Sequence, residues 1–164
     1  MPGEPGGEVM GRAGKIIGAL AILAIVGFAC YTGYTEKTAV ESLEIELVDV
    51  AITRIGLTSC DITLRLRFYN PTDHDTPPFS LGFDIYIADH RVGHGSLPEM
   101  HVPAHSEKHG DLTITLEYAK LAEAVIDAMV RGEFTLSIVG TLKSRIIFGL
   151  IPISRPFEAY YEYG

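Results

Sequence analysis

The chain has 164 residues, 47% of them hydrophobic and 21% charged, with a formal net charge of -8. That is enough for one domain plus an appendage, and it excludes a wholly disordered polymer. A sequence pI of about 5.1 and the lack of any lysine- or arginine-rich tract exclude a protein that tracks a nucleic-acid backbone. Two cysteines, one of them inside the most apolar stretch, cannot staple a small secreted scaffold, so the fold must stand on its hydrophobic core.

Residues 1–15 are rich in Gly and Pro and lack apolar periodicity, which predicts a short disordered tail. From Ile16 to Thr35 the chain then runs twenty residues without a charge. A helix of that length covers about 30 Å, the hydrocarbon thickness of a bilayer, so residues 16–35 are expected to cross a membrane. Arg12 and Lys15 precede the run, while Glu36, Glu41, Glu44 and Glu46 follow it with only Lys37 among them. The positive-inside rule therefore puts the tail in the cytoplasm and residues 36–164 outside it, in a single-pass protein of the cell membrane. Tyr31 and Tyr34 suit the aromatic belt at the outer interface. Two alternatives stay open at this point. Gly27-Phe28-Ala29 puts small residues, Gly27 and Ala29, at the positions a signal peptidase prefers, and Cys30 directly after them could carry a lipid. All three readings place the domain outside the cytoplasm.

From residue 43 onward strand signals dominate. Leu43, Ile45 and Leu47 alternate, and then the phase changes to Val48, Val50 and Ile52, which requires a bulge near Val48 or a strand that switches sheets there. Ile62, Leu64, Leu66 and Phe68 alternate with Asp61, Thr63, Arg65 and Arg67. Phe83, Ile85 and Ile87 form a further strand before a turn at Asp89, His90 and Arg91. The same period of two recurs in Leu112, Ile114, Leu116 and Tyr118, in Phe134, Leu136 and Ile138, and in Phe157, Ala159, Tyr161 and Tyr163. One segment departs from it. Ala119 to Gly132 sets Leu121, Ala124, Val125, Ala128 and Met129 on one helical stripe and stops at Gly132, which predicts a single amphipathic helix. The expected fold class is mostly β: an antiparallel sandwich with one α-helix, occupying residues 36–164 and preceded by the transmembrane helix.

The chain also resembles a known family. Asn70-Pro71-Thr72 ends a strand, Tyr86 lies in a strand followed by a turn and Gly95-Ser96-Leu97, and Val102-Pro103-Ala104 comes next. A strand, a helix and a second strand run from Asp111 to Gly140, and Ile151-Pro152-Ile153-Ser154 leads into the last strand at Phe157. In this order, over residues 43 to 163, these features resemble the LEA14-like group of late embryogenesis abundant proteins, the WHy (water stress and hypersensitive response) domain. Thr72 stands where that family usually repeats Asn, and Pro77-Pro78-Phe79 is bulkier than its usual segment. The resemblance implies an immunoglobulin- or fibronectin-III-like sandwich, no catalytic residues, and a protective role in water stress or desiccation through binding membranes or macromolecules.

Read for chemistry, the residues point mainly to structure. Pro71 fixes its own φ and biases Asn70 toward extended backbone, so Asn70, Pro71 and Thr72 are expected to end a strand and satisfy local backbone groups. Asn70 is the chain's single asparagine, and Pro71 in the middle position bars glycosylation there. His90 and His94, then His101, His105 and His109, recur every four residues, a spacing that converges only on a helix. Gly93, Gly95, Pro98, Pro103 and Gly110 forbid one, so these are expected to be exposed loop histidines and no metal site is assigned. Asp73-His74-Asp75 reads as a solvated loop, and Cys60 as a packing residue. The chain has no GxSxG elbow, HExxH, P-loop or Rossmann fingerprint, so no catalytic residue and no cofactor is assigned and the protein is expected not to be an enzyme.

Arg145 to Ile153 is unusually apolar for a connection. It is expected to be either a buried crossover or extended strand, or an exposed tip whose Ile147, Phe148, Leu150 and Ile151 meet lipid or a partner. The partners expected are the membrane through residues 16–35 and a lipid or an envelope protein, with no nucleic acid and the oligomeric state left open. A competing function is a lipid-binding or lipid-transfer module, or a structural subunit of an envelope complex. A groove between the sheets would favour the lipid carrier and a filled core the protective role.

Overall fold

The computed structural model describes residues 5–164, with side chains from Ala13 onward. Two helices and seven strands follow in order: α1 (Pro5–Ser42), β1 (Glu44–Ile55), β2 (Ser59–Tyr69), β3 (Phe79–Ile87), β4 (His90–Met100), β5 (Glu107–Glu117), α2 (Glu123–Arg131), β6 (Phe134–Ile146) and β7 (Ile151–Tyr163). The strands make two antiparallel sheets, one ordered β1-β2-β5 and the other β4-β3-β6-β7. They stack as the antiparallel sandwich that the alternation predicts.

The α1 helix is longer at both ends than the uncharged run. Residues 1–4 of the expected disordered tail lie outside the described part, and residues 5–15 are helical rather than disordered. Propagation accounts for this: once the apolar run has nucleated a helix, each added residue gains a hydrogen bond, and Pro5 is tolerated at the first position because its missing N–H would be unpaired anyway. At the other end the helix continues to Ser42, so residues 36–42 of the expected sandwich domain are the last turns of α1. Ala39, Val40 and Leu43 are buried there against the sandwich.

Strand alternation follows the side chains closely. In β2 every second residue is buried: Cys60, Ile62, Leu64, Leu66 and Phe68. The phase change in β1 is resolved by a register shift that skips Val48, since Leu47 pairs with Leu66 and Asp49 with Arg65. That bulge lets Leu43 and Leu47 before it and Val50 after it all face inward. Between the sheets the core is filled, with Phe68, Phe79, Phe83, Leu64, Leu66, Ile85, Leu136 and Ile138 all fully buried.

Three expectations are corrected. The stretch from Ala119 to Gly132 is not one helix: a short 3-10 turn (Tyr118–Lys120) precedes α2, which starts only at Glu123. Gly132 ends it in the left-handed conformation at φ 72°. Of the expected stripe, Val125 and Ala128 are buried, but Ala124 is exposed, because a helix this short offers the core only one turn. Third, His90, His94 and His109 lie on strands β4 and β5 and not in loops. Their segments carry glycines that look like turn signals, yet Gly95 serves packing: a Cβ there would come within 2.7 Å of the Phe83 ring.

Outward faces are polar and cross-linked. On the three-stranded sheet Arg67 bridges Glu107 at 2.5 Å and Glu46 at 3.2 Å. On the other sheet Asp84 accepts from His94 and Arg91, each at 3.1 Å. The hydrogen bond from His94, and then that from Arg91, holds the Asp84 carboxyl below its usual range, and the Arg67 hydrogen bond does the same for Glu107. A depressed folded-state pKa means that stability is present above the unfolded value and is lost as pH falls through the folded one. The thermal midpoint is therefore expected to drop as pH is lowered from 6 to 3, and to drop less in an Asp84→Asn, Glu107→Gln double variant, as followed by circular dichroism. Equal slopes in the two proteins would remove these pairs as the cause.

Candidate functional site

Directions along the strands define two ends. The C-terminus of α1, the 70–78 loop, the 101–106 loop and the β6–β7 turn lie at one, and α2 with the 56–58 and 88–89 turns lies at the other. Strands of 11 to 13 residues separate the ends by about 40 Å at about 3.3 Å per residue.

At the α1 end, Asn70 ties two loops together. It is fully buried, and its Nδ2 donates to the carbonyls of His74 at 2.7 Å and Val102 at 3.1 Å. Its Oδ1 accepts from the Thr72 backbone N–H at 3.0 Å and from the Thr72 hydroxyl at 2.6 Å. Thr76 repeats the link, with its Oγ1 accepting from the Val102 N–H at 2.9 Å. Asp73 and Asp75 are engaged as well: Asp73 pairs with His105 Nε2 at 2.6 Å, and Asp75 accepts the Ala104 N–H at 2.8 Å. These residues form a clasp between loops some thirty residues apart in sequence, and what the clasp does chemically is satisfy buried backbone groups.

The apolar connection after β6 is a hairpin turn. Ile146 is buried and pairs with Ile151, and Ile147 to Leu150 turn between them. Phe148, Leu150 and Ile151 are exposed. Ile147 and Phe148 both hold positive φ, at 55° and 56°, before Gly149 at 75°. For a β-branched and an aromatic residue that conformation costs roughly 1–2 kcal/mol each, which Gly or Asn would avoid.

This turn sits against α1. The rings of Phe148 and Phe28 stack with centroids 6.2 Å apart. Ile147 packs where Gly33 has no side chain; a Cβ on Gly33 would lie 2.8 Å from Ile147 Cδ1. The Ile147 N–H donates to Glu36 Oε2 at 2.7 Å. Arg155 of β7 donates to the carbonyls of Val40 at 3.0 Å and Leu43 at 2.6 Å, so it satisfies acceptors that the end of α1 leaves open. Beside the turn lies a groove of about 920 Å³ lined by Glu36, Pro78, Ser80, Glu99, Lys143, Arg145, Phe148, Pro152 and Ser154.

A second, apolar pocket of about 380 Å³ lies at the far end among Ile52, Ile55, Cys60, Tyr118, Leu121 and Met129. Burial, and then the charge of Asp61, pushes the Cys60 thiol up, which disfavours the reactive thiolate. Among the described residues no three His, Cys, Asp or Glu side chains gather in a way that could hold a metal ion.

Residues 65–157 match the family model LEA_2, late embryogenesis abundant protein. The chain belongs to that family. The solution structure of AT1g01470 from Arabidopsis thaliana is similar to this LEA_2 chain, with 20% identity, a TM-score of 0.56 and coverage of 73% of this chain and 79% of that one. A crystal structure from Archaeoglobus fulgidus has 16% identity, a TM-score of 0.44 and coverage of 74% and 95%. A further solution structure, At2g46140.1, described as a candidate late embryogenesis abundant (LEA) protein, has 14% identity, a TM-score of 0.44 and coverage of 94% and 87%. No match is found among curated protein sequences. Family membership suggests a LEA-type stress protein, and the α1 helix is by length and composition able to cross a membrane over Ala13–Ser42.

Where sequence reasoning fell short was in the partners. The sequence singles out Asn70 and Ile147, Phe148, Leu150 and Ile151, and it marks Val102 as part of a family segment and Glu36 as a flanking charge, but it gives neither of those as a partner and does not point to Thr76, Gly33 or Arg155. Gly33 carries no distinguishing local signal, because Gly18 and Gly27 open the same kind of gap in the same run.

Proposed function

We propose that this LEA_2 protein is a non-enzymatic, single-pass membrane protein of the LEA14-like (WHy) type, whose sandwich stands on the extracytoplasmic face. Its role is protection during water stress or desiccation, exerted at the membrane surface. The observation that carries this reading is the docking of the β6–β7 turn on α1 through Phe28, Gly33 and Glu36. A domain tethered by a loose linker would need no such contacts, whereas this one is braced against the helix that enters the bilayer. If residues 16–35 span the hydrocarbon, Phe28 lies about 10 Å inside its outer edge at about 1.5 Å per residue, and Phe148 lies beside it. Phe148 and Leu150 then face lipid tails, which accounts for their exposure and for the strain of the turn.

The chain contains no Trp, so Phe148→Trp introduces a single reporter. In the full-length protein reconstituted into phospholipid nanodiscs, its emission is expected to be blue-shifted and to be quenched by lipids brominated on their tails. Emission typical of water, with no quenching, would refute the placement.

The filled core argues against a lipid carried between the sheets. An envelope-complex subunit is the second reading, and the exposed Ile55, Leu57 and Val130 around the far apolar pocket favour it.

A further inference from the structure

The groove beside α1 holds a set of donors that anchoring alone does not require. Ser80 of β3 pairs with Lys143 of β6, and Lys143 pairs with Ser154 of β7, so their outward side chains share one row. Two residues nearer the turn, Arg145 lies opposite Pro152. Lys143 and Arg145 are exposed, and among the described residues neither forms an ion pair. One wall therefore offers an ammonium, a guanidinium and two hydroxyls.

A tetrahedral anion with several oxygens suits that set, since guanidinium and ammonium donors bind phosphate oxygens with charge-assisted hydrogen bonds. Two carboxylates share the groove. Glu36 is already engaged by the Ile147 N–H, and Glu99 comes from β4, two strands and about 10 Å away from β6.

Position names the source of the anion. On the membrane-anchored reading Glu36 stands at the hydrocarbon edge and its carboxylate holds the Ile147 N–H, so the end of β6 lies near that edge, with Arg145 beyond it and Lys143 about 7 Å further out along the strand. The headgroup layer occupies about 5–8 Å on each side of the hydrocarbon core.

We propose that Lys143 and Arg145, with Ser80 and Ser154, hold the phosphate of an anionic bilayer lipid whose tails lie along Phe148 and α1. This assignment rests on the membrane-anchored reading above, and it names the ligand class that the reading leaves open.

The test uses the full-length chain in nanodiscs of equal phosphatidylglycerol and phosphatidylcholine, released gently for native mass spectrometry. The wild-type chain is expected to retain one phosphatidylglycerol. A Lys143→Ser, Arg145→Ser double variant is expected to lose at least tenfold of that adduct while a Phe148→Trp reporter in the same background keeps its quenching by brominated tails. Undiminished phosphatidylglycerol on the double variant overturns the proposal, as does equal retention of the two lipids by the wild type. An inorganic phosphate adduct in place of lipid overturns the choice of source. Failure of the wild-type chain to enter nanodiscs is a different result: it defeats the anchored reading itself and the proposal with it.

Discussion

Asn70→Ala is expected to lower the thermal midpoint by about 10 °C. The substitution removes the Asn70 donor from the carbonyls of His74 and Val102, which keep the Thr72 hydroxyl and the Thr76 N–H, and it leaves the Thr72 N–H without its partner. Two lost hydrogen bonds cost about 1 kcal/mol each and the unpaired N–H at least about 1 kcal/mol, so the sum is about 3 kcal/mol, and a domain of this size loses about 3–4 °C per kcal/mol. Asn70→Asp separates the donor role from the acceptor role. It keeps the acceptor toward Thr72 but points a charged oxygen at two carbonyls, so at pH 7 it is expected to be at least as damaging as alanine. Differential scanning calorimetry reads both. A midpoint within 2 °C of wild type for Asn70→Ala would mean that Thr76 and the buried Val102 hold the loops without it, and the clasp would lose its central role.

Gly140→Ala is expected to be worse, at about 3 kcal/mol or more, because the added carbon falls against backbone that has nowhere to go. Gly140 pairs with Phe83 on one side and Phe157 on the other. Over the gap it leaves, those two rings meet edge to face with centroids 6.1 Å apart. A Cβ at Gly140 would stand 2.5 Å from Phe83 Cβ and press on the Gly82 carbonyl oxygen, and β3 cannot retreat because β4 is bonded to its other side. Gly82→Ala is the matched control: its Cβ would meet only a His94 ring carbon at 4.0 Å. Urea midpoints are expected to fall sharply for Gly140→Ala and to stay near wild type for Gly82→Ala. Similar losses in both would mean that the close contacts at Gly140 are not the cause, since backbone entropy alone favours alanine at either site.

Much of this architecture could be read along the chain. Alternation assigns the buried face of β2, β3, β6 and β7, because side chains on a strand point to opposite faces with a period of two. The change of phase in β1 calls for a bulge near Val48 or a strand that switches sheets there, and the register shift between Leu47 and Asp49 is the bulge. β4 was hidden from the same reasoning. Its Gly93, Gly95 and Pro98 are turn signals in isolation, and only the approach of Phe83 and Leu112 gives Gly95 its reason. The short α2 was overdrawn for a related cause: apolar spacing says which face a helix would bury, but not how many turns have a core to meet.

Composition and local periodicity, by themselves, determined the apolar N-terminal helix, the strand faces and a mostly β sandwich, because each depends on residues within a few positions of one another. Tertiary structure alone decided which strands pair, that Asn70 reaches the carbonyl of Val102, and that the strained apolar turn at Ile147 and Phe148 docks on Gly33 and Phe28. These contacts join residues from about thirty to more than a hundred positions apart. Their free energy comes from burial and hydrogen bonding realised only after the intervening loops have closed, so no window of sequence contains both partners.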